Sequence, residues 1–163
     1  MEVRSIEAIF KALNDARVKY LIVGGLAVNV HGYVRLTRDV DIVLRLEKRN
    51  VIRGLNALFD AGFQMAIPEK PEAFADKKTR ERWRREKNMI TLKLWSDKHR
   101  RTPVDIFIYE PFDFARELPK MRKEEIAPGI FAPVVSLKTL LAMKREAGRP
   151  KDLEDIEELN RAR

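Results

Sequence analysis

Two aspartates, Asp39 and Asp41, alternate with apolar residues in a stretch that predicts a β-strand over residues 39–46. A strand repeats every two residues, so both carboxylates should point from the same face. Two like charges held so close need a cation. Oxygen ligands of this kind suit Mg²⁺ or Mn²⁺, which bind one or two carboxylates together with substrate phosphates. The alternative is an exposed acid at the strand end followed by a turn acid, and the Asp-x-Asp spacing alone does not separate the two.

A glycine pair upstream adds a second chemical feature. Residues 20–23 predict a short strand that ends at Gly24 and Gly25, and residues 26–30 then have helical character. Free backbone amides and a helix dipole at such a turn favour phosphate, although a tight turn needed only for packing has the same pattern. Arg35 and Thr37 lie between the two motifs, where they could contact phosphate or sit in a solvated loop.

A third acid, Asp105, lies inside the apolar run Pro103-Val-Asp-Ile-Phe-Ile, which also predicts a strand. A buried carboxylate in such a strand is costly unless it is paired or bound to a metal, whereas an acid on an edge strand could face solvent. We therefore expect Asp105 to complete a metal site with Asp39 and Asp41. It could also orient an acceptor hydroxyl in an in-line displacement, as base or as positioner of the base.

The elements that must position these residues predict a mixed α/β fold. Strands are expected near residues 20–23, 39–46, 89–95 and 104–109, with a shorter one at 63–67, and helices at 3–13, 51–59 and 74–87. This gives a mixed sheet of at least four strands flanked by helices. Residues 1–110 form the predicted core. Residues 111–163 form a C-terminal extension, irregular or weakly β over 121–135, with two helices bounded by Ser136, Gly148 and Pro150, all in a single compact domain.

Composition narrows the classes of protein that are possible. The 163 residues carry a net charge of +8. They include no cysteine, which excludes thiolate chemistry, and no apolar run long enough for a membrane span, which excludes a membrane protein. A cytoplasmic location is therefore expected. Between residues 69 and 101, twelve Lys or Arg stand against six acids. This segment favours a polyanion such as nucleic acid, although a solvated helix face is the plainer alternative. Within it, Trp83 could stack on a base or anchor the helix in the core.

The combined motifs resemble a known superfamily. The sequence Tyr20-Leu-Ile-Val-Gly-Gly-Leu-Ala-Val, followed by His31-Gly32 and by Arg35-Leu-Thr-Arg-Asp-Val-Asp-Ile, is similar to the signature of DNA polymerase β-like nucleotidyltransferases. The small prokaryotic branch related to AbiEii-type toxins is the most similar. This resemblance implies the nucleotidyltransferase fold, and by position it places Lys144 and Asp152 in the active site. Many members have Gly-Ser where this chain has Gly24-Gly25, so a serine contact to the phosphates is missing.

The resemblance also implies a function. The expected reaction is metal-dependent transfer of a nucleoside monophosphate from a nucleoside triphosphate (NTP) to an acceptor hydroxyl, with pyrophosphate released. The basic residues 77–101 favour RNA, such as a tRNA end, as the acceptor. Two alternatives remain open: a protein adenylyltransferase acting on a toxin or antitoxin partner, and a non-catalytic nucleotide-binding partner protein. Modification of a cationic drug is disfavoured because the chain is basic.

Overall fold

A seven-stranded mixed sheet forms the centre of the computed structural model, which describes residues 1–162. Its strands are β1 (Tyr20–Val23), β2 (Val40–Leu44), β3 (Gln64–Met65), β4 (Thr91–Trp95), β5 (Val104–Phe107), β6 (Arg122–Ala127) and β7 (Ile130–Val134), in the order β3-β4-β5-β2-β1-β7-β6. The pairs β1–β7 and β2–β5 are parallel and the other neighbours are antiparallel. The expected mixed α/β class is confirmed.

Helices cover the sheet and complete the core. They are α1 (Val3–Asp15), α2 (Gly24–Val30), α3 (Lys48–Asp60), α4 (Pro71–Ala75), α5 (Lys77–Lys87), α6 (Phe114–Glu117), α7 (Leu137–Ala147) and α8 (Pro150–Arg161), with one 3₁₀ turn at Leu118–Lys120. The apolar side of α1, spaced at three and four residues, is fully buried at Ile9, Phe10 and Leu13. Within residues 1–162, no helix is long and apolar enough to cross a membrane.

Two elements differ from the sequence-based expectation. The prediction of a single basic helix at 74–87 is wrong. Helix α4 ends at Ala75, and Asp76 caps the start of α5 by accepting a 2.8 Å hydrogen bond from the Thr79 amide. That side-chain cap favours a new helix start over continuation. Residues 122–134, expected to be irregular or short β structure, form a β-hairpin with a register shift between Glu125 and Ala127, and its strand β7 pairs with β1 and buries Ala132 and Val134 in the core. The segment after residue 110 therefore shares the sheet of the first 110 residues.

The C-terminal helices have the boundaries that their end residues predict. Ser136 accepts a hydrogen bond from the Thr139 amide at the start of α7, Gly148 ends that helix at φ +59°, and Pro150 lies in the first turn of α8. These short connections fold α8 back beside α7. The pair carries Lys144 and Asp152 to the side of the sheet where α2 begins.

Candidate active site

A cleft of about 950 Å³ opens where β1, β2 and β5 meet α2 and α7. Strand register brings the acids together there: Asp41 lies opposite Asp105 across the parallel β2–β5 pair, and opposite Val23, the residue before Gly24, across β1–β2. Asp39 lies one residue before β2 rather than inside it. All three acids predicted from the sequence line this one cleft.

The two glycines are required by side chains that approach the backbone closely. A Cβ atom at Gly24 would lie 2.0 Å from Asp41 Oδ2, and Gly24 also has a left-handed φ of +63°. A Cβ at Gly25 would lie 2.4 Å from Thr37 Oγ1. Contacts this short are impossible for a real side chain, so the structure gives both glycines a packing reason. Binding of phosphate by their amides stays a prediction.

Negative charge at the centre of the cleft exceeds the positive charge that compensates it. Burial and then the charges of Asp39 and Asp105 raise the pKa of Asp41 to about 7, although Lys144 and Arg149 lower it. A carboxyl in this position holds a proton that it would lose in water. The ligand-free site therefore has a deficit of positive charge around Asp41.

Asp105 is buried and has a lysine beside it. The carboxylate is 8% exposed, which excludes the solvent-facing alternative. Lys93 lies opposite Asp105 in the β4–β5 pair, and its Nζ is 2.8 Å from Oδ1 and 3.0 Å from Oδ2. Only the contact with Oδ2 has hydrogen-bond geometry, so Oδ1 is buried beside the charge of Lys93 without a hydrogen bond. Burial raises the pKa of Asp105, and the ammonium of Lys93 opposes that shift.

These carboxylates fit a hard divalent cation in their chemistry. Among residues 1–162, no three histidine, aspartate or glutamate side chains form a ready-made metal cage. However, every donor offered by Asp39, Asp41 and Asp105 is an oxygen, which Mg²⁺ and Mn²⁺ prefer. The raised pKa of Asp41 marks a place where a cation would relieve an unfavourable state.

A buried ion network joins the C-terminal helices to the loop before β2. Lys144 Nζ lies 2.8 Å from both Asp152 Oδ1 and Asp155 Oδ2. Arg35 donates two hydrogen bonds, of 2.5 and 2.7 Å, to the Asp155 carboxylate. Arg149 Nε donates one of 2.7 Å to Asp152 Oδ2. Burial favours a raised pKa at Asp152, but the hydrogen bonds from Arg149 and Lys144 outweigh it and hold that pKa at about 2. The network fixes Arg35 and Lys144 at the wall of the cleft.

The sequence indicated part of this network. It placed Lys144 and Asp152 in the active site, and the structure brings the two side chains into contact. It missed Asp155, which is fully buried, although two acids three residues apart fall on one face of a helix. It also missed Lys93, whose partner depends on strand register. Trp83 is 2% exposed, so it anchors α5 in the core.

Comparisons with known proteins agree with this fold. Residues 9–163 match the family model described as nucleotidyl transferase AbiEii toxin, type IV toxin–antitoxin system. The lincosamide antibiotic adenylyltransferase LnuA, solved with lincomycin bound, superposes with a TM-score of 0.63 at 15% identity, covering 98% of this chain and 97% of LnuA. A Thermotoga maritima protein proposed to be a nucleotidyltransferase superposes with a TM-score of 0.59 at 16% identity, covering 98% and 92%. No curated protein sequence matches the chain significantly.

Fold and site together define an enzyme of the nucleotidyltransferase class. The chain belongs to the AbiEii family of nucleotidyl transferase toxins, whose model matches nearly its whole length. Membership in a toxin family of type IV toxin–antitoxin systems suggests an antitoxin as partner and an NTP as substrate. At such low identity, the likeness to LnuA and to the Thermotoga protein shows the fold alone.

Proposed function

We propose that the protein transfers a nucleoside monophosphate from an NTP to a hydroxyl of RNA, with Mg²⁺ or Mn²⁺ at the carboxylate site. The observation that carries this proposal is the convergence of Asp39, Asp41 and Asp105, with excess negative charge around Asp41, in a cleft whose other charged residues are mostly cationic. A magnesium–triphosphate complex supplies what each half of that cleft lacks: a cation for the acids and phosphates for the basic residues.

Charge along the cleft supports a polyanionic substrate. Among its lining residues, six are Lys or Arg (Arg35, Arg38, Arg84, Lys144, Arg149 and Lys151) and four are acids (Asp39, Asp41, Asp105 and Glu146). A focused positive potential attracts triphosphate and RNA and repels a cationic drug. Antibiotic modification of the kind named for LnuA is therefore not the function that we propose for this chain.

Each carboxylate has a proposed role. Asp39, Asp41 and Asp105 would hold the divalent cation, which when bound neutralises charge on the reacting phosphate and on the leaving group. As the oxygen of the acceptor hydroxyl forms a bond to the α-phosphorus, the carboxylate of Asp105 accepts the proton of that hydroxyl. The bond from that phosphorus to the bridging oxygen breaks, and pyrophosphate leaves with the electron pair. The raised pKa of Asp105 suits a proton acceptor.

The phosphates are assigned mainly to side chains. The helix α2 has only seven residues, so the amides of Gly24 and Gly25 add a small dipole. Thr37 Oγ1 lies where a side chain at residue 25 would begin, and its one hydrogen bond is a long contact of 3.5 Å to the Asp39 carbonyl. We assign to Thr37 the hydroxyl that serine supplies in similar proteins. Arg35 then faces the phosphates from its anchored position.

Lys144 and Asp152 act together in this proposal. Lys144 is 6% exposed and shared by two carboxylates, so its charge acts on the cleft mainly as a fixed field that lowers the pKa of Asp41. Asp152 holds Lys144 and Arg149 in place from the start of α8. Transfer activity should therefore depend on the whole network rather than on a direct contact between Lys144 and phosphate.

RNA is the proposed acceptor because of the exposed basic face of α5. Of the cations on this helix, Arg80 is 5% exposed and donates to the Phe74 carbonyl, which removes it from any RNA surface. Lys77, Arg82, Arg84 and Lys87 are exposed, as are other basic residues up to residue 101. A nucleotide substrate and an RNA acceptor are both found in the cytoplasm, which is the location we propose.

The test is to incubate the pure protein with each NTP labelled at the α-phosphate, with magnesium and total RNA or cell lysate. Labelled RNA is expected. The matched controls are Asp41→Asn, which should be inactive, and Asp60→Asn, an exposed acid on α3 outside the cleft, which should be fully active. Labelled protein instead of RNA would establish the adenylyltransferase alternative, and no label on any acceptor would favour the non-catalytic partner protein.

A further inference from the structure

Phe107 and Tyr109 form an aromatic ladder that extends the carboxylate site from Asp105 along the end of β5. Asp105 and Phe107 are two residues apart on this strand and therefore lie on one side of it, and Tyr109 follows in the bend just after the strand. All three line the same cleft. Alternate side chains on one face of an extended strand are about 7 Å apart, and the rings of Phe107 and Tyr109 meet edge to face with centroids 5.9 Å apart.

The ladder leaves apolar surface open inside a charged cleft. Phe107 and Tyr109 are only half-buried, and Ile90, which lines the same end, is 47% exposed. Met143 lines the cleft from α7. Open aromatic surface in a cleft marks a place where a ligand packs, because such groups are otherwise covered by the core.

The ladder also joins the basic face of α5 to the reacting centre. Arg84 belongs to that exposed face, and its Cζ lies 3.7 Å from the centroid of the Tyr109 ring. This stacking turns the guanidinium toward the cleft, which Arg84 lines together with Tyr109. A polyanion following α5 would therefore reach the carboxylates by passing over aromatic rings.

We propose that Phe107, Tyr109 and Arg84 bind the unpaired bases at the reacting end of the RNA acceptor. The inference rests on the function proposed above and names the binding site for its acceptor. Bases stack on aromatic rings and on guanidinium planes whatever their sequence, and each stacked base strengthens binding substantially.

Position in the sheet assigns the ladder to the acceptor rather than to the triphosphate. The ladder begins at Asp105, the carboxylate proposed to take the proton of the acceptor hydroxyl. Gly24, Gly25 and the Thr37 hydroxyl lie at the end of β1, which is separated from β5 by β2. The two substrates would thus approach the carboxylates from opposite sides. The ladder would recognise an unpaired base. The triphosphate also carries a base, so the experiment must distinguish that base from those of the RNA acceptor.

The test measures binding of two probes to the full chain at low salt. One is a short labelled oligoadenylate, and the other is the same strand without bases on its last two nucleotides at the 3′ end. The parent protein should bind the abasic probe about tenfold more weakly. Phe107→Ala and Tyr109→Ala should bind both probes almost equally, whereas Phe131→Ala, which removes an exposed aromatic outside the cleft, should keep the difference.

Tyr109→Leu keeps the apolar volume but removes the ring face, so it tests stacking even where an alanine variant fails to fold. The affinity for ATP in magnesium is measured on every variant and should be unchanged. A fall in ATP affinity with the probe difference intact would assign the ladder to the triphosphate base and overturn the inference. Parent protein that binds both probes equally would refute the ladder and leave the RNA acceptor standing. Parent protein that binds neither would refute both.

Discussion

Replacing Asp41 with asparagine should stabilise the ligand-free protein while removing its activity. The pKa of Asp41 is raised from 3.8 to about 7, chiefly by burial and then by the charges of Asp39 and Asp105. Between those two pH values the folded state keeps a proton that the unfolded state has lost. The free energy of unfolding therefore falls as pH rises through this window, and the whole penalty is present above pH 7.

The size of this penalty follows from the pKa shift. A shift of about three units corresponds to about 4 kcal/mol, because each unit is worth about 1.36 kcal/mol. That value is a ceiling, since Asp39 and Asp105 titrate together with Asp41 and share the proton among them. About half of it, ~2 kcal/mol, should be recovered by asparagine, which raises Tm by roughly 4–8 °C for a protein of this length.

The assay is thermal melting of parent and Asp41→Asn at about pH 8, each with and without magnesium and triphosphate. The parent should gain stability from these ligands and the variant should gain almost none. The difference between the ligand-free proteins should shrink as the pH is lowered from 7 towards 3.8, because the unfolded state then also begins to hold the proton. Asp60→Asn controls for removal of an exposed acid. A variant that melts below the parent yet responds fully to ligand would show Asp41 to be structural and refute the reasoning.

Three further outcomes are expected. Gly24→Ala should destabilise the protein by well over the roughly 1–2 kcal/mol that an alanine in the left-handed conformation costs. Gly129 also has a left-handed φ but has open space around it, so Gly129→Ala should cost only that amount. Equal losses of stability in thermal melting would contradict the close contact at Gly24. Asp155→Asn should lower the free energy of unfolding in urea by about 3–5 kcal/mol, because it leaves two buried cations without their shared partner, and a loss below 1 kcal/mol would contradict the network. Reversing Arg82 and Arg85 to glutamate should weaken RNA binding and flatten its dependence on salt, and an unchanged slope would place the RNA surface elsewhere.

Local sequence patterns were sufficient for much of this structure. The strand before Gly24, the strand carrying Asp41 and the two capped C-terminal helices all depend on residues close together in the chain, namely period-two apolar runs, glycines and end caps. Because these patterns are local, the sequence predicted a mixed sheet and grouped the three acids. The helix break at Asp76 is also local, but the apolar and basic residues on both sides concealed it.

The features that were missed depend on pairings between distant residues. Lys93 reaches Asp105 only because β4 and β5 pair in one register, and no sequence period fixes that register. Asp155 meets Arg35 across 120 positions of the chain. The hairpin β6–β7 joins the main sheet because β7 finds the free edge of β1. Each case needs the folded arrangement to bring its partners together.

In the proposed reaction, the α-phosphate of the triphosphate moves to an acceptor hydroxyl. The most direct measurement compares two labelled forms of the same triphosphate, one marked at the α-phosphate and one at the γ-phosphate, incubated with protein, magnesium and RNA. We expect label on RNA from the α-marked form only, label in free pyrophosphate from the γ-marked form, and neither product with Asp41→Asn. Label on the acceptor from the γ-marked form would show phosphoryl transfer and contradict the account.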